Sequence, residues 1–293
     1  MAKSPDVILH IGAHKTATTH LQMALQSARP ALSAQGVAFY GPTQLRKDGQ
    51  FLPERLGLPF AKVQSSVDAK AEWQSMVGDA KRVVLSEENF VGVLNRKGAQ
   101  LVTPLYSNAV ERIAALASVT APEGIDLFLS IRAPATFLNS AYSQILMAGS
   151  QVRPEIFKAK NPLQTVDWVK YINRLTRIQS LRSLTVWPYE DYAAHFLKIV
   201  SLMVGSGPAK SVKWESEWAH RSLSARAVAE IMELDQTERS TRKAKLIKSK
   251  FPVSESFAQF DVFSGEDHAR SGVLYADQIR AIEQMPKVTL LRA

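Results

Sequence analysis

The feature that most limits how this chain can fold is a repeated order of short apolar runs and helical segments. The apolar runs are DVILHI at 6–11, RVVLS at 82–86, IDLFLSI at 125–131 and SLTVW at 183–187. Short apolar runs bounded by polar residues or glycine are typical of buried strands. Strands that alternate with helices form right-handed βαβ units. The sequence therefore predicts an α/β protein with a mostly parallel central sheet flanked by helices.

Apolar residues recur at helical spacing between these runs. The predicted helices cover 18–28, 108–118, 133–149, 162–175 and 190–204. The second of them has an apolar face made of Val110, Ile113, Ala114 and Ala117. In the third, Pro134 suits the first helical turn. From about 214 to 285 the pattern predicts helices and loops without a strand, and KVTLL at 287–291 is either a last strand or a tail.

Length and composition favour one domain covering residues 1–293. Hydrophobic residues make up 46% and charged residues 22%, which is ordinary for a globular protein. No stretch approaches the ~20 apolar residues that span a bilayer, and no secretory signal is visible. Cysteine is absent, which excludes disulfides and thiolate metal sites and favours a reducing compartment. A cytoplasmic location is therefore expected, and the oligomeric state stays open.

The charge balance favours anionic partners. Lys and Arg number 36 against 27 Asp and Glu, a net charge of +9. Such an excess attracts nucleotides, phosphates, acidic glycans, nucleic acid or membrane surfaces. The densest basic run, RSTRKAKLIKSK at 239–250, fits the solvated face of a late helix. Because no arginine–aromatic interleaving accompanies it, nucleic acid is not the expected partner.

The turn after the first strand is the strongest candidate site. The stretch VILHIGAHKTATTHLQ places one lysine and three threonines between a strand and a helix. Ligands of open parallel sheets bind beyond the carboxyl ends of the strands, and free amides at a helix start attract anions. Gly12 permits a sharp turn, Lys15 supplies a mobile charge, and hydroxyls come from Thr16, Thr18 and Thr19. This turn is either a phosphate cradle or an ordinary capped helix start with an exposed lysine.

Two patterns of nucleotide and metal sites are missing from this turn. Walker A needs a glycine directly before its lysine, whereas Lys15 follows Gly12 by three residues. An NTPase is therefore disfavoured. His14 and His20 are six residues apart with no evident third ligand, so no metal site is predicted.

Three motifs together resemble a known family. HIGAHKTATTHLQ resembles the 5′-phosphosulfate-binding loop of sulfotransferases that use 3′-phosphoadenosine 5′-phosphosulfate (PAPS). SIRAPATFLNSAYSQ resembles the family's second motif, with Arg132 at a strand end and Ser140 eight residues later. WPYEDY at 187–192 is similar to a segment after a later strand. The resemblance covers about residues 6 to 200 and implies a P-loop-like sulfotransferase architecture of the bacterial or glycan-type branch, with PAPS as co-substrate and no metal.

The resemblance also implies roles for individual residues. Lys15 would contact the phosphosulfate bridge and neutralise the departing phosphate. Arg132 and Ser140 would hold the 3′-phosphate, for which the arginine fork is well suited. Tyr189 would lie near the adenosine or simply pack before a helix.

The resemblance assigns the 5′-phosphate to the turn itself. The cradle would be made of Gly12, Thr16, Ala17, Thr18 and Thr19 with their amides. Ala17 stands where the family usually has glycine, so the turn must accommodate a Cβ atom. The family's glycine-rich, lysine-containing C-terminal loop is not visible, and Arg221 or the basic run at 239–250 is a candidate replacement.

A general base is predicted at the end of the RVVLS strand. VVLSEENF places two carboxylates at the same sheet edge as Lys15, and relatives in the family carry a glutamate in a comparable place. Glu88 is the first candidate for the base and Glu87 the second; the alternative is that both stabilise the following helical turn. His14, next to Lys15, is a further candidate for contact with the sulfuryl group or substrate.

The predicted reaction is transfer of the sulfuryl group from PAPS to a hydroxyl acceptor by in-line displacement. The acceptor is a carbohydrate, a lipid or a small alcohol, and the loops at 41–66 and 149–162 are candidates for its pocket by position. Two alternatives stay open: a nucleotide-dependent phosphotransferase or kinase, and a non-catalytic protein that binds nucleotides or polyanions.

Overall fold

One six-stranded sheet organises the molecule. The computed structural model describes residues 4–47, 50–61, 67–95, 99–214 and 222–292. The strands are β1 (Asp6–His10), β2 (Val37–Tyr40), β3 (Arg82–Ser86), β4 (Ile125–Ile131), β5 (Leu181–Pro188) and β6 (Val288–Leu290). They lie in the order β2-β3-β1-β4-β5-β6, and each neighbouring pair is parallel. The predicted parallel α/β architecture is confirmed.

Helices fill the connections between the strands. They are α1 (Thr18–Ser27), α2 (Arg29–Ser33), α3 (Pro42–Leu45), α4 (Leu52–Arg55), α5 (Ala69–Val77), α6 (Ala109–Thr120), α7 (Pro134–Met147), α8 (Pro154–Lys160), α9 (Trp168–Leu175), α10 (Tyr192–Val204), α11 (Ser206–Ala209), α12 (Ala225–Met232), α13 (Thr241–Lys250) and α14 (Gly265–Glu283). Short 3-10 turns cover Glu88–Val91, Leu163–Thr165, Tyr189–Asp191 and Gln236–Glu238. Within the described residues, none of these helices combines the length and apolarity needed to cross a membrane.

Both faces of the sheet are covered. In β1, Val7 and Leu9 belong to one hydrophobic core, whereas Ile8 between them belongs to a second core on the opposite face. Helices α6, α7, α9 and α14 supply side chains to the first core, and α1, α2 and α10 supply the second. A strand buried on both faces reads as a continuous apolar run, which is why β1, β3, β4 and β5 were recognisable in the sequence.

The edge strand β2 has no counterpart in the sequence prediction. Its four residues alternate between buried and half-buried, so it lacks the continuous apolar run of the interior strands. RVVLS is therefore the third strand along the chain, yet it pairs directly with β1, with His10 opposite Ser86. The carboxyl ends of β1 and β3 therefore lie at the same edge of the sheet, as predicted.

Three predicted helical details need correction, and one open alternative is settled. The helix predicted from 162 begins only at Trp168, because the Asp167 carboxylate caps it by accepting the Lys170 amide at 2.8 Å. In α6 the predicted Ala114 is exposed and Leu116 takes the buried position. The helix predicted from 190 begins at Tyr192, after a 3-10 turn. KVTLL contains a strand, β6, which pairs with β5.

Candidate active site

A cleft of about 450 Å³ opens at the carboxyl ends of the strands. Its lining residues are His14, Lys15, Thr16, Ala17, Thr18, Thr19, His20, Glu88, Arg132, Ser140, Gln144, Tyr189, Glu190, Tyr192, Ala193 and Trp214. These residues follow β1, β3, β4 and β5, which end at one edge of the sheet. Every predicted site residue except Gly12 and Glu87 lines this cleft.

The turn between β1 and α1 is tightly wound. Gly12 has a φ of +90°, and a Cβ atom there would lie 3.1 Å from Cβ of Glu88. Lys15 and Ala17 also have positive φ values, 67° and 61°. Left-handed backbone costs a residue with a side chain roughly 1–2 kcal/mol. Ala17 therefore occupies a conformation that glycine adopts freely, at the position where the resembled motif carries glycine.

Two threonine hydroxyls hold the turn from inside. The hydroxyls of Thr16 and Thr18 both donate to the Ala13 carbonyl, at 2.6 and 3.1 Å. Helix α1 then begins at Thr18 without a side-chain cap and without an acidic residue in its first turn. The first amides of a helix have no intrahelical acceptor, and the helix dipole adds positive potential there. This arrangement leaves the first turn of α1 suited to an anion.

The Lys15 ammonium is half-buried at the mouth of this turn. Burial lowers its pKa first, and the positive charges of Lys248 and Arg132 lower it further, while Glu88 raises it. Within the described part of the chain, its ammonium forms no ion pair at contact distance. The Lys15 ammonium is thus not paired with a carboxylate in the described part of the chain, although Glu88 and Glu190 line the same cleft, and it can contact an anionic ligand.

Arg132 lies between this turn and a tyrosine ring. Its Nη1 donates to the Lys15 carbonyl at 2.9 Å, and its Nε donates to Oγ1 of Thr136 at 3.1 Å. Its guanidinium lies 4.3 Å from the ring centroid of Tyr189, a cation–π geometry. Burial lowers its pKa, although an arginine stays charged at any physiological pH. The structure thereby fixes the orientation of Arg132 and couples it directly to the β1–α1 turn.

The predicted spacing between Arg132 and Ser140 brings both to one cleft. Thr136, Ser140 and Gln144 follow one another at four-residue spacing along α7, so they share one face of the helix. Ser140 and Gln144 line the cleft, and Thr136 contacts Arg132. The neighbouring stripe, which includes Phe137 and Ala141, is fully buried. The polar row therefore faces ligand space while the apolar row anchors the helix.

The two adjacent glutamates have different environments. Glu87 is fully buried and lies outside the cleft: its carboxylate accepts from Arg46 Nη2 and Nε at 2.6 and 2.8 Å. It also accepts a hydrogen bond from the backbone N–H of Asn89 at 3.0 Å. Glu88 lines the cleft and accepts from Gln22 Nε2 at 3.4 Å. Burial raises the pKa of Glu88, and the charge of Glu87 raises it further. Only Glu88 is placed to meet a bound substrate.

His14 is held as a neutral ring. Its backbone N–H donates to the Tyr106 hydroxyl at 3.1 Å, and its Nδ1 lies 3.0 Å from the same oxygen. Asn89 Nδ2 donates to the Glu87 carboxylate, so Asn89 Oδ1 faces the ring as an acceptor, and in a neutral ring Nδ1 then accepts the Tyr106 proton. Nε2 is the donor toward Oδ1 of Asn89 at 3.4 Å. Burial lowers the pKa of His14 to about 4, so the ring carries no charge near neutral pH.

Several cleft residues escaped the sequence prediction. Trp214 is 45% exposed, and its ring centroid lies 4.1 Å from that of His20 and 5.6 Å from that of Tyr192. The sequence feature that could have indicated Trp214 is a large aromatic residue in a polar segment, because exposed apolar surface often marks a binding site. The basic run forms the late helix α13, and the charge of Lys248 on this helix lowers the pKa of Lys15 although Lys248 does not line the cleft. Arg221 lies outside the described residues.

Comparisons with known proteins give structural matches alone. No protein-family model matches the chain, and no curated protein matches it. A solved sulfotransferase from Alicyclobacillus acidocaldarius aligns with 96% of this chain and 95% of its own, with a TM-score of 0.45 and 10% identity. A sulfotransferase domain from the curacin biosynthetic pathway aligns with 94% of this chain and 99% of its own, with a TM-score of 0.32 and 12% identity.

Proposed function

We propose that the protein is a sulfotransferase that moves the sulfuryl group of PAPS to a hydroxyl group of an acceptor. One observation carries this proposal. The Lys15 turn and the Arg132–Ser140 pair, which are separate motifs in the sequence, line a single cleft and are joined by the hydrogen bond from Arg132 to the Lys15 carbonyl. The cleft volume of about 450 Å³ lies in the range of small-molecule sites.

The donor would be held at its two phosphates. The uncapped first turn of α1 suits the 5′-phosphate, with Lys15 beside the bridge to the sulfuryl group. Arg132 can present Nη2, which has no hydrogen-bond partner among the described residues, and Ser140 its hydroxyl, to the 3′-phosphate. The rings of Tyr189 and Trp214 line the same cleft and offer flat surfaces for the adenine. Each chemical group of the donor thereby meets a side chain of suitable type.

The chemistry needs a base and a stabilised leaving group. The acceptor oxygen attacks sulfur in line while the bond from sulfur to the 5′-phosphate oxygen breaks, which leaves 3′-phosphoadenosine 5′-phosphate. Lys15 would neutralise the charge that develops on that oxygen. Glu88 would accept the proton of the attacking hydroxyl, and its raised pKa makes it a stronger base than an exposed glutamate.

Ligand-induced thermal stabilisation tests the donor site. We expect 3′-phosphoadenosine 5′-phosphate to raise the melting temperature without magnesium, and AMP to do so far less, since only the former carries the 3′-phosphate. At a free nucleotide concentration of about 100 times Kd, binding should raise the free energy of unfolding by roughly 2.7 kcal/mol. Lys15→Ala should reduce the shift, whereas Lys81→Ala, an exposed cation before β3 at the opposite edge of the sheet, should not. Equal shifts with both nucleotides, or none, would contradict the proposal.

The same preparation distinguishes the two alternatives. Magnesium-dependent ATP turnover would favour a phosphotransferase. Binding that weakens steeply with salt, does not depend on Lys15 and is accompanied by no turnover would favour a non-catalytic polyanion-binding protein. A screen of labelled PAPS against hydroxyl acceptors then reports transfer directly.

A further inference from the structure

A second cleft of about 480 Å³ lies near the cleft of about 450 Å³ described above, which we call the donor-side cleft because the proposed donor would bind there. Asn89 and Tyr106 line it, and both contact His14, which lines the donor-side cleft. The linings of the two clefts are therefore in direct contact through these side chains. Phe51 and Phe60 also line it, and both belong to the loop at 41–66, whose position makes it a candidate for the acceptor pocket.

Arg112 places a guanidinium group in the lining of this second cleft. Its Nε donates to the Phe90 carbonyl at 2.9 Å and its Nη2 to the Asn89 carbonyl at 3.1 Å. Among the described residues no carboxylate lies within ion-pair distance of it. Burial is the cause that lowers its pKa. The guanidinium is thus fixed by neutral carbonyls, and its charge and its remaining nitrogen are available to an anion.

The other two charged groups of this cleft, Arg46 and Glu54, have hydrogen-bond partners within the protein, although Glu54 adds a negative charge to the lining. Arg46 binds the Glu87 carboxylate through two nitrogens. Glu54 caps α4, since its Oε2 accepts the Phe51 amide at 3.0 Å. Arg112 is therefore the cation of this cleft that is left for a ligand within the described residues.

The walls beside Arg112 are apolar and partly aromatic. The guanidinium lies 4.1 Å from the ring centroid of Phe60. Phe51 stacks on Phe90, with centroids 5.3 Å apart and an interplanar angle of 21°. Val91 and Val102 complete the apolar lining. A flat apolar ring fits such a surface and desolvates the charge of Arg112, which strengthens its attraction for an anion.

We infer that the second cleft binds the acceptor, and that the acceptor class is a hydroxyl compound with an apolar ring and one anionic group that pairs with Arg112. This inference rests on the proposed sulfotransferase function, because it assigns the cleft to the second substrate. A guanidinium–anion hydrogen bond contributes about 1.5–3 kcal/mol, which corresponds to at least about tenfold in affinity.

Two fluorescent ring alcohols that differ in one carboxylate provide the test: hydroxynaphthoate and naphthol. Their Kd values are measured by fluorescence, and their kcat/KM values by transfer from labelled PAPS. For the wild-type protein we expect hydroxynaphthoate to be favoured at least about tenfold in both assays. Arg112→Gln should bring both ratios close to one, and Arg112→Lys should give intermediate ratios. Arg177→Gln, an exposed arginine outside both clefts, should retain the wild-type ratios.

The outcomes separate this inference from the donor-site proposal. Equal values for the two compounds in the wild-type protein overturn the inference, even if both compounds are sulfated and the sulfotransferase proposal stands. A preference that survives in Arg112→Gln overturns it as well. Preferential, Arg112-dependent binding of hydroxynaphthoate supports this ligand site. If such binding occurs while no acceptor is sulfated and 3′-phosphoadenosine 5′-phosphate does not bind, the sulfotransferase proposal fails instead. Should Arg112→Gln not fold, the wild-type ratios and Arg112→Lys decide.

Discussion

The donor-side cleft and the second cleft meet at residues 87–89 and differ in how their charges are arranged. Glu87 turns away from the donor side and neutralises Arg46, which lines the second cleft. Glu88, the next residue, lines the donor-side cleft, where Lys15 has no ion-pair partner among the described residues. The two neighbouring carboxylates can thus have different functions. Glu87 holds Arg46 in the wall of the second cleft, and Glu88 can contact a substrate.

The largest expected effect comes from the free carboxylate. Glu88→Gln removes the proposed base while keeping a similar shape, and a positioned base contributes about 10²–10⁴-fold to rate. We expect sulfuryl transfer from labelled PAPS to fall by at least about 100-fold, with the Kd of 3′-phosphoadenosine 5′-phosphate little changed. Full turnover in this variant would remove Glu88 from the role of base.

Glu87→Gln should act on stability and on the pH profile. Loss of the charged partner of Arg46 should lower the free energy of unfolding by about 1–3 kcal/mol, measured by urea titration. Because the charge of Glu87 helps to raise the pKa of Glu88, its removal should lower that pKa.

The sign of the pH effect follows from the base being active when deprotonated. In the wild-type protein kcat/KM should rise with pH through the raised pKa of Glu88, above that of an ordinary glutamate. In Glu87→Gln the rising limb should move to lower pH. An unmoved limb, in a variant that is folded, would show that another group controls it.

The donor side could be predicted from the sequence because its residues directly follow buried strands. Lys15 comes after β1, Glu88 after β3 and Arg132 after β4, and parallel strands bring these turns to one edge. Ser140 was predictable because helical spacing places it on the same side as Thr136. Local periodicity and strand direction were enough to single out the Lys15 turn, whereas Arg132 and Ser140 were singled out by their resemblance to a sulfotransferase motif.

The second cleft could not be predicted in this way. Arg112 lies on α6 and Phe60 in the segment after α4, and no spacing in the sequence links them. Their contact depends on how α6 packs beside the turn after β3. Likewise, Trp214 meets His20 only because α10 covers the same sheet face as α1. Such pairs are set by tertiary packing, so a single sequence shows their residues but not their proximity.

A smaller effect is expected from Ser140. Loss of its hydroxyl should remove one hydrogen bond to the 3′-phosphate and weaken binding of 3′-phosphoadenosine 5′-phosphate by about tenfold. Binding of AMP, which lacks that phosphate, should not change. Ser143→Ala is the matched control, because that hydroxyl donates to the Asn139 carbonyl within α7. Calorimetric titration of both variants with both nucleotides checks this, and equal losses for the two nucleotides would place Ser140 elsewhere than at the 3′-phosphate.

The smallest expected effect tests the backbone of the donor turn. Ala17→Gly removes the strain of a left-handed residue with a side chain, which should raise the free energy of unfolding by roughly 1 kcal/mol. The glycine also gives the unfolded chain more conformational freedom, which should lower the free energy of unfolding by about 0.4–1 kcal/mol. The free energy of unfolding should therefore change by less than about 1 kcal/mol. In contrast, Ala24→Gly, in the buried middle of α1, should destabilise by at least about 1 kcal/mol, since there glycine brings the entropy cost without relieving strain. Denaturant titration checks both variants. If Ala17→Gly were as destabilising as Ala24→Gly, Ala17 would not be left-handed. The proposed arrangement of the first amides of α1 at the cleft would then be wrong as well.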